Sequence, residues 1–360
     1  MKRTIIVLFA CILVAQISWA QRAKLPVLSE DPYASALVLD ADSGETLFEE
    51  HGGKIIYPAS VLKLMDLLII LERIEQGTLR LDEMVQVTKE AAQMGGSQVF
   101  LDPKEQFSVE DLLYALIVQS ANDAALALAT HVAGSKVGFI ALMNKRAGEL
   151  GMKDSRFYSV HGLPPSIGQK PDETTARDLA ILARELAQKA ETFKYTSTRE
   201  RGFRDDTFIM RTHNHLLASV DGCDGFKTGY FKVAGFSIVA TAKRGGVRII
   251  AIVTGSKDRK IRDAKAAELL AKGFALVPRK PVAETVMTKP EDVLQDTKIK
   301  AANEQQQRLP SEKNKEDDSS PAPGGNWGMF FLGLGVGLAL LGLLGIYRSR
   351  KRPKKYLRMR

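Results

Sequence analysis

The chain has 360 residues, 45% hydrophobic and 26% charged, which is a globular composition and excludes a disordered polymer. Its formal charge of +9 suggests a polyanion partner, but ten of the 51 bases sit in two acid-free ends, leaving 41 bases against 42 acids between them. A middle of charge −1 gives no electrostatic footprint for nucleic acid, so no nucleic-acid partner is expected.

Residues 1–20 read as a secretory signal peptide: Lys2 and Arg3, an apolar run from Ile5 to Val14, and small residues Ser18 and Ala20 before a cut at Gln21. The run is too short to span a bilayer. Leu8-Phe9-Ala10-Cys11 loosely resembles a lipoprotein cleavage box, yet the residues after Cys11 stay apolar, so Cys11 is expected to leave with the signal. The mature chain then keeps Cys223 alone, and no internal disulfide is expected. Cys223 itself reads as a small apolar residue without a partner.

A folded domain is expected over 21–278. Ser35 to Leu39 and Thr46 to Glu50 read as strands flanking the turn residues Asp40-Ala41-Asp42-Ser43-Gly44. Helices are expected from Ser60 to Ile74 after Pro58, from Ser108 with Asp111 through Leu116, and over Ala121 to Val132, Gly138 to Leu150 and Thr175 to Lys189. Phe226 to Tyr230, Phe236 to Lys243 and Val247 to Gly255 read as strands, the last two joined by Arg244-Gly245-Gly246, and a helix follows from Asp258 to Lys272. Strands at both ends of the domain with helices between them predict one sheet built from both chain ends, an α/β (α+β) fold.

Residues 279–326 have linker composition, with Gln305 to Gln307, Lys and Glu clusters and a Ser-Ser-Pro-Ala-Pro-Gly-Gly run; a flexible coil of that length spans about 35 to 40 Å. Trp327 to Tyr347 is an uncharged run of 21 residues, aromatic at both edges and followed by the basic tail 348–360. This predicts a transmembrane helix with the tail in the cytoplasm and the folded domain outside. The expected localisation is therefore the cell membrane, single-pass, with the folded domain on the extracytoplasmic (periplasmic or outer) face. Gly333 and Gly337 form a Gly-x-x-x-Gly step that suits a partner helix, and a glycine-rich anchor without a partner accounts for it equally well.

Three short motifs occur in order: Ser60-Val61-Leu62-Lys63, Ser120-Ala121-Asn122 and Lys227-Thr228-Gly229. Ser-x-x-Lys alone is common by chance and Ser-x-Asn more so; Lys-Thr-Gly on a strand is rarer, and the ordered set is specific. A serine hydroxyl needs a base within hydrogen-bond reach, and helix positions i and i+3 share a face, which places Lys63 over Ser60. Burial, with Lys227 nearby as a second cation, is expected to depress the Lys63 pKa. The amide of Ser60 at a helix start and that of Tyr230 on the Lys227 strand are the expected oxyanion donors.

These motifs resemble those of the serine D-alanyl-D-alanine carboxypeptidases, the low-molecular-mass penicillin-binding proteins. The resemblance extends through Tyr57-Pro58-Ala59-Ser60, Ser120-Ala121-Asn122-Asp123-Ala124-Ala125, Met143-Asn144, Leu150-Gly151-Met152, His161-Gly162-Leu163, Thr175-Ala176-Arg177-Asp178 and Asp224-Gly225-Phe226-Lys227-Thr228-Gly229-Tyr230, most of Ser35 to Phe274. It implies a DD-peptidase/β-lactamase-like fold, a mainly antiparallel sheet with flanking helices and a helical subdomain. It implies that Ser60 is acylated by the penultimate D-alanine of a peptidoglycan stem peptide, that Lys63 is the base, and that Ser120 and Asn122 relay protons and orient Lys63. Lys227 and Thr228 would bind the terminal carboxylate beside Gly229 and Tyr230, with Arg262 assisting; β-lactam antibiotics would trap the acyl-enzyme. No cofactor and no metal are expected.

The chain departs from the family at Leu62 and Asp66, where threonine is usual, and at Phe231, where a small polar residue is usual. Leu62 is expected to pack, Phe231 to narrow the site or alter substrate preference, and Asp66 to add a carboxylate near the nucleophile's helix. No β-rich second domain is expected after the catalytic one. His213 and His215 read as surface or strand residues, His161 as a loop-shaping residue bordering the site. A DD-endopeptidase would use the same residues. An inactive cell-wall-binding homologue is the non-enzymatic alternative. A β-lactamase would need a deacylating acid such as the Glu of Glu-x-x-Leu-Asn, and none lies between Asn122 and Lys227.

Overall fold

The computed structural model describes residues 22–278. The readings of a signal peptide at 1–20, a linker at 279–326, a membrane span at 327–347 and a tail at 348–360 lie outside the described residues. Among the described residues no single helix is long and apolar enough to cross a membrane.

The first hairpin, β1 (Ser35–Asp40) and β2 (Thr46–Glu50), forms where the two stretches flanking the turn residues predict it. Its turn is tied by the Asp40 carboxylate, which accepts from the Asp42 amide at 3.0 Å and the Ser43 hydroxyl at 3.0 Å. A 3-10 turn, Ala59–Leu62, leads into helix α1, Lys63–Glu75. Strand β3 (Met84–Gln86), the one-turn helix α2 (Lys89–Ala92) and strand β4 (Gln106–Ser108) follow, with β3 and β4 paired. Ser108 caps α3 (Val109–Ile117): its Oγ accepts from the Asp111 amide at 3.0 Å and donates to the Asp111 carboxylate at 2.7 Å, so an orphan helix donor is satisfied as the sequence predicts.

Helices α4 (Asn122–Ala133), α5 (Lys136–Leu150), α6 (Ala176–Ala187) and α7 (Ala190–Thr196) come next, then the hairpin β5 (Glu200–Phe203) and β6 (Phe208–Arg211) and the short α8 (Leu216–Ser219). The domain closes with β7 (Cys223–Phe231), β8 (Gly235–Arg244), β9 (Val247–Ser256) and α9 (Arg259–Leu276). The main sheet runs β2-β1-β9-β8-β7, antiparallel throughout, and joins both ends of the domain through the β1–β9 pair.

Alternation along the central strands divides the interior in two. Ala36 and Val38 of β1 and Ile249, Ala251 and Val253 of β9 point into a smaller core under α9, with Leu269 and Leu270. Their neighbours Leu37, Leu39, Ile250 and Ile252 point into the larger core with the other helices. A central strand covered on both faces must be apolar at every position, and all ten residues of β9 are buried. Helix α1 has the same character: Lys63 through Leu71 are all buried, surrounded by α4, α5, α6 and α7. The motif lysine is thus carried into the interior by an apolar helix. Edge strand β7 is anchored at its start by Arg248 of β9, which donates twice to the Asp224 carboxylate at 2.8 Å and stacks over Phe193 at 3.8 Å.

The α/β (α+β) reading is met, and differences are local. Ser60 lies in a 3-10 turn and not at the start of an α-helix. Strand β7 begins three residues earlier than the apolar run indicates, at Cys223. His213 and His215 are not on a strand; they precede α8, with His215 at its N-cap. Phe231 stacks on Tyr57 with ring centroids 5.9 Å apart, and so packs behind the serine turn.

Candidate active site

Edge strand β7, the 3-10 turn and the start of α4 converge on one cleft of about 340 Å³. Ser60, Ser120, Asn122, Thr228, Gly229, Tyr230 and Arg262 all line it. A 3-10 turn eclipses residues i and i+3, with roughly three residues per turn, so Ser60 and Lys63 are brought into line more closely than in an α-helix. The Lys63 Nζ lies 3.1 Å from Ser60 Oγ. Backbone on either side is held left-handed at non-glycine residues, with φ 48° at Ala59 and 59° at Ser120. The turn is buttressed by Gly162, where a Cβ would lie 2.1 Å from the Ala59 carbonyl oxygen. That contact, with the His161 Nδ1 accepting from the Leu163 amide at 3.1 Å, shows how the 159–163 loop borders the cleft.

Lys63 also donates to the Ser120 carbonyl at 2.9 Å and to Asn122 Oδ1 at 2.6 Å, with Ser120 Oγ at 3.4 Å. Asn122 is itself oriented: its Nδ2 donates to the Gly95 carbonyl at 2.7 Å and its backbone amide to the Ser97 carbonyl at 2.8 Å. The neighbouring Asp123, buried, accepts from the amides of Val99 and Leu101 and fastens the same loop to α4. Both the Ser120 carbonyl and the Asn122 oxygen can only accept. A neutral lysine amine has two N–H groups and one lone pair, so these acceptors take the two hydrogens and leave the lone pair for the Ser60 hydroxyl. The geometry accommodates the amine as a base toward Ser60; an ammonium fits the same contacts by donating its third hydrogen to Ser60 Oγ, so the Lys63 pKa decides which form is present.

Burial makes that form accessible, lowering the Lys63 pKa to about 7 against the opposing pull of the Asp66 and Asp123 carboxylates. The repulsion between Lys63 and Lys227 is mutual and disfavours the charged form of each. Lys227 is buried and its pKa is depressed well below the ordinary range, by burial first and then by Lys63 and Arg262. Lys227 donates to the Thr228 carbonyl at 3.2 Å. Arg262, 2% exposed, donates to the Ser237 carbonyl at 3.3 Å and pairs with Asp263 at 2.6 Å. Thr228 and Arg262 put a hydroxyl and a guanidinium on the cleft lining, an environment suited to a carboxylate, while Lys227 is buried next to Thr228 and is not among the residues that line the cleft. Tyr230 is half exposed and stacks on Phe236 with centroids 4.0 Å apart, forming an aromatic wall.

The structure adds two residues that sequence reasoning placed elsewhere. His213 and His215 line this cleft. Desolvation, then the charges of Lys227 and Lys63, lower the His213 pKa to about 4. Thr-His-Asn-His carries no spacing signal for such a place; only its position shortly before β7 hints at it. Among the described residues no three His, Cys, Asp or Glu side chains are grouped so as to hold a metal ion. Leu62 is fully buried, as its reading for packing requires, and Cys223 is half-buried with its pKa raised to about 11 by burial.

A family model described as D-alanyl-D-alanine carboxypeptidase matches residues 26–258. The chain belongs to the D-alanyl-D-alanine carboxypeptidase family. It is 34% identical over 251 residues to D-alanyl-D-alanine carboxypeptidase DacF of Bacillus subtilis, which are 69% of this chain and 64% of that protein. It thus spans less than two thirds of that relative's length. It is also similar to a D-alanyl-D-alanine endopeptidase of Pseudomonas aeruginosa, 30% identical over 68% of this chain and 78% of that protein. Among solved structures, penicillin-binding protein D2 of Listeria monocytogenes in its ampicillin-bound form superposes with a TM-score of 0.61 and 29% identity, over 70% of this chain and all of that one. The sequence resemblance and the fold it implies are therefore met in this carboxypeptidase family member.

Proposed function

We propose that this chain is an exported, membrane-anchored serine-type D-Ala-D-Ala carboxypeptidase, acting on peptidoglycan stem peptides from the extracytoplasmic side. The observation that carries the reading is the placement of Lys63 Nζ, 3.1 Å from Ser60 Oγ with its hydrogens directed to Ser120 O and Asn122 Oδ1. The terminal carboxylate of the substrate sits against Lys227, Thr228 and Arg262. Ser60 attacks the penultimate D-alanine carbonyl while its proton passes to the Lys63 lone pair. The amides of Ser60 and Tyr230 stabilise the oxyanion. The proton then moves through Ser120 to the departing D-alanine nitrogen, leaving an acyl group on Ser60. Water attacks that ester, again with Lys63 as base, and frees the shortened peptide. A β-lactam acylates the same serine, and its retained ring-opened part makes release slow. The terminal signal and span read from the sequence support the export and anchoring.

A second reading is DD-endopeptidase activity on cross-linked peptides. It is favoured by the similarity to the Pseudomonas aeruginosa endopeptidase, of which this chain spans 78%, a larger share than of DacF. Both activities use one acyl-enzyme and differ in the leaving amine. The test incubates the purified full-length chain with labelled penicillin, a pentapeptide ending in D-Ala-D-Ala, and cross-linked muropeptide. Expected are an adduct on Ser60 and release of free D-alanine; cleavage of the muropeptide alone assigns the endopeptidase, and no adduct and no product overturns both.

A further inference from the structure

One buried ionisable group near the site has no part in the chemistry above. Asp66 lies one helical turn beyond Lys63 on α1, 2% exposed, and neither of its carboxyl oxygens has a hydrogen-bond partner among the described residues. An unpaired carboxylate is costly in such a place, and so is an unpaired ammonium. Lys63 is fully buried beside it. The resemblance to the family implies threonine here, and this chain has a carboxyl instead.

We propose that Asp66 is a positioning residue that acts through Lys63, setting the pH at which the lysine becomes a free amine and can activate Ser60. The proposal rests on the reading of Ser60 and Lys63 as nucleophile and base. With one proton between them the two groups have two arrangements of equal net charge: ammonium with carboxylate, or amine with carboxylic acid. No bond joins Nζ to the carboxyl, so Asp66 acts through the field across the helix turn and not by direct transfer. The carboxylate attracts the proton to Lys63 and empties the lone pair needed by Ser60. Its acid form releases that hold. Burial raises the Asp66 pKa well above its ordinary value, with Lys63 opposing and Asp172 adding to it.

The other charged groups around the pair are few. Asp172 acts on Asp66 from the loop before α6, and Asp123 of α4 acts on Lys63. Lys227 of β7, His161 and His213 feel the charge of Lys63 in turn. Arg146 of α5 meets α1 further along, at Glu72, and also pairs with Glu185 of α6; the buried ionisable side chains of α3 and α7 are Tyr114 and Tyr195. Residue 66 is thus the ionisable group on α1 placed to tune Lys63.

The experiment uses the full-length chain with 15Nζ-labelled lysine, following the Lys63 resonance, identified by its loss in Lys63→Arg, across pH. In parallel the rate of acylation by labelled penicillin is measured over the same range. Asp66→Asn and Asp66→Thr are expected to move both midpoints to lower pH by roughly one to two units. Acylation one unit below the wild-type midpoint then rises about five- to tenfold. Asp66→Glu is expected to restore the wild-type midpoint. A midpoint unchanged in folded Asn or Thr variants would overturn the proposal and leave residue 66 a packing role. If the wild type resists acylation at every pH, the reading of the site fails, and the lysine titration still decides whether Asp66 holds the proton on Lys63.

Discussion

Gly229 of β7 lies so close to the serine turn that a Cβ on it would stand 3.1 Å from the Ser60 amide nitrogen and 2.6 Å from the Pro58 carbonyl oxygen. The third residue of Lys-Thr-Gly is therefore fixed by distance between two backbones. It lets the edge strand close on the 3-10 turn and keeps the Ser60 amide open to an oxyanion.

Gly229→Ala follows as a first test. The methyl group would press on that amide and push β7 from the turn, while the β7–β8 pairing away from the cleft remains. Acylation by labelled penicillin is expected to fall by about 10²- to 10³-fold, the effect of losing an oxyanion donor. Thermal stability should change much less; an alanine variant acylated at the wild-type rate would place the oxyanion elsewhere.

Lys63 sets the pH dependence of the reaction. Burial lowers its pKa to about 7, and only the amine accepts the Ser60 proton, so the acylation rate should rise with pH through a midpoint near about 7 and then level. Lys63→Arg keeps the positive charge but cannot give up a proton in this range. Its acylation is expected to drop by about 10²- to 10⁴-fold at every pH, with non-covalent penicillin binding retained. A Lys63→Arg variant that is acylated normally with the same pH limb would remove the lysine from the base role.

The order of strands and helices was legible because β1, β8 and β9 are short apolar runs bounded by turn residues and α9 opens on the capping Asp258. The three motifs were legible because their residue types are rare in that order. What escaped was set by tertiary contact. Strands β5 and β6 are four residues each, rich in charge at Glu200, Arg201 and Arg211, and form as a hairpin with Arg204 of their turn held by Glu105 and the Val99 carbonyl. His213 and His215 reach the cleft because the segment before α8 is folded over it, which no local pattern records. Phe231 was read as a residue of the cleft, but strand alternation turns it to the opposite side from Tyr230, onto Tyr57. The lowering of the Lys63 pKa was foreseen, and burial is its largest cause.

Asp172 gives a prediction on stability. Its carboxylate accepts from the amides of Tyr158 and Ser159 at 2.6 and 2.8 Å and from the Ser159 hydroxyl at 2.6 Å, holding the loop that leads to Gly162 and the serine turn. Burial outweighs these bonds and raises its folded pKa from 3.8 to about 6. The folded chain then binds the proton more tightly than the unfolded chain does between about pH 4 and 6. Stability must therefore fall as pH rises through that window, by an amount on the order of 3 kcal/mol, most of it lost by pH 7. Asp172→Asn keeps an acceptor for the loop amides and has no proton to lose. Its stability should be flatter than that of the wild type over the same window, with the two curves diverging as pH rises in favour of the variant. Urea unfolding of both proteins at intervals from pH 4 to 7 measures this directly. Parallel curves would mean that Asp172 titrates at its ordinary value and that its three hydrogen bonds balance the cost of its burial.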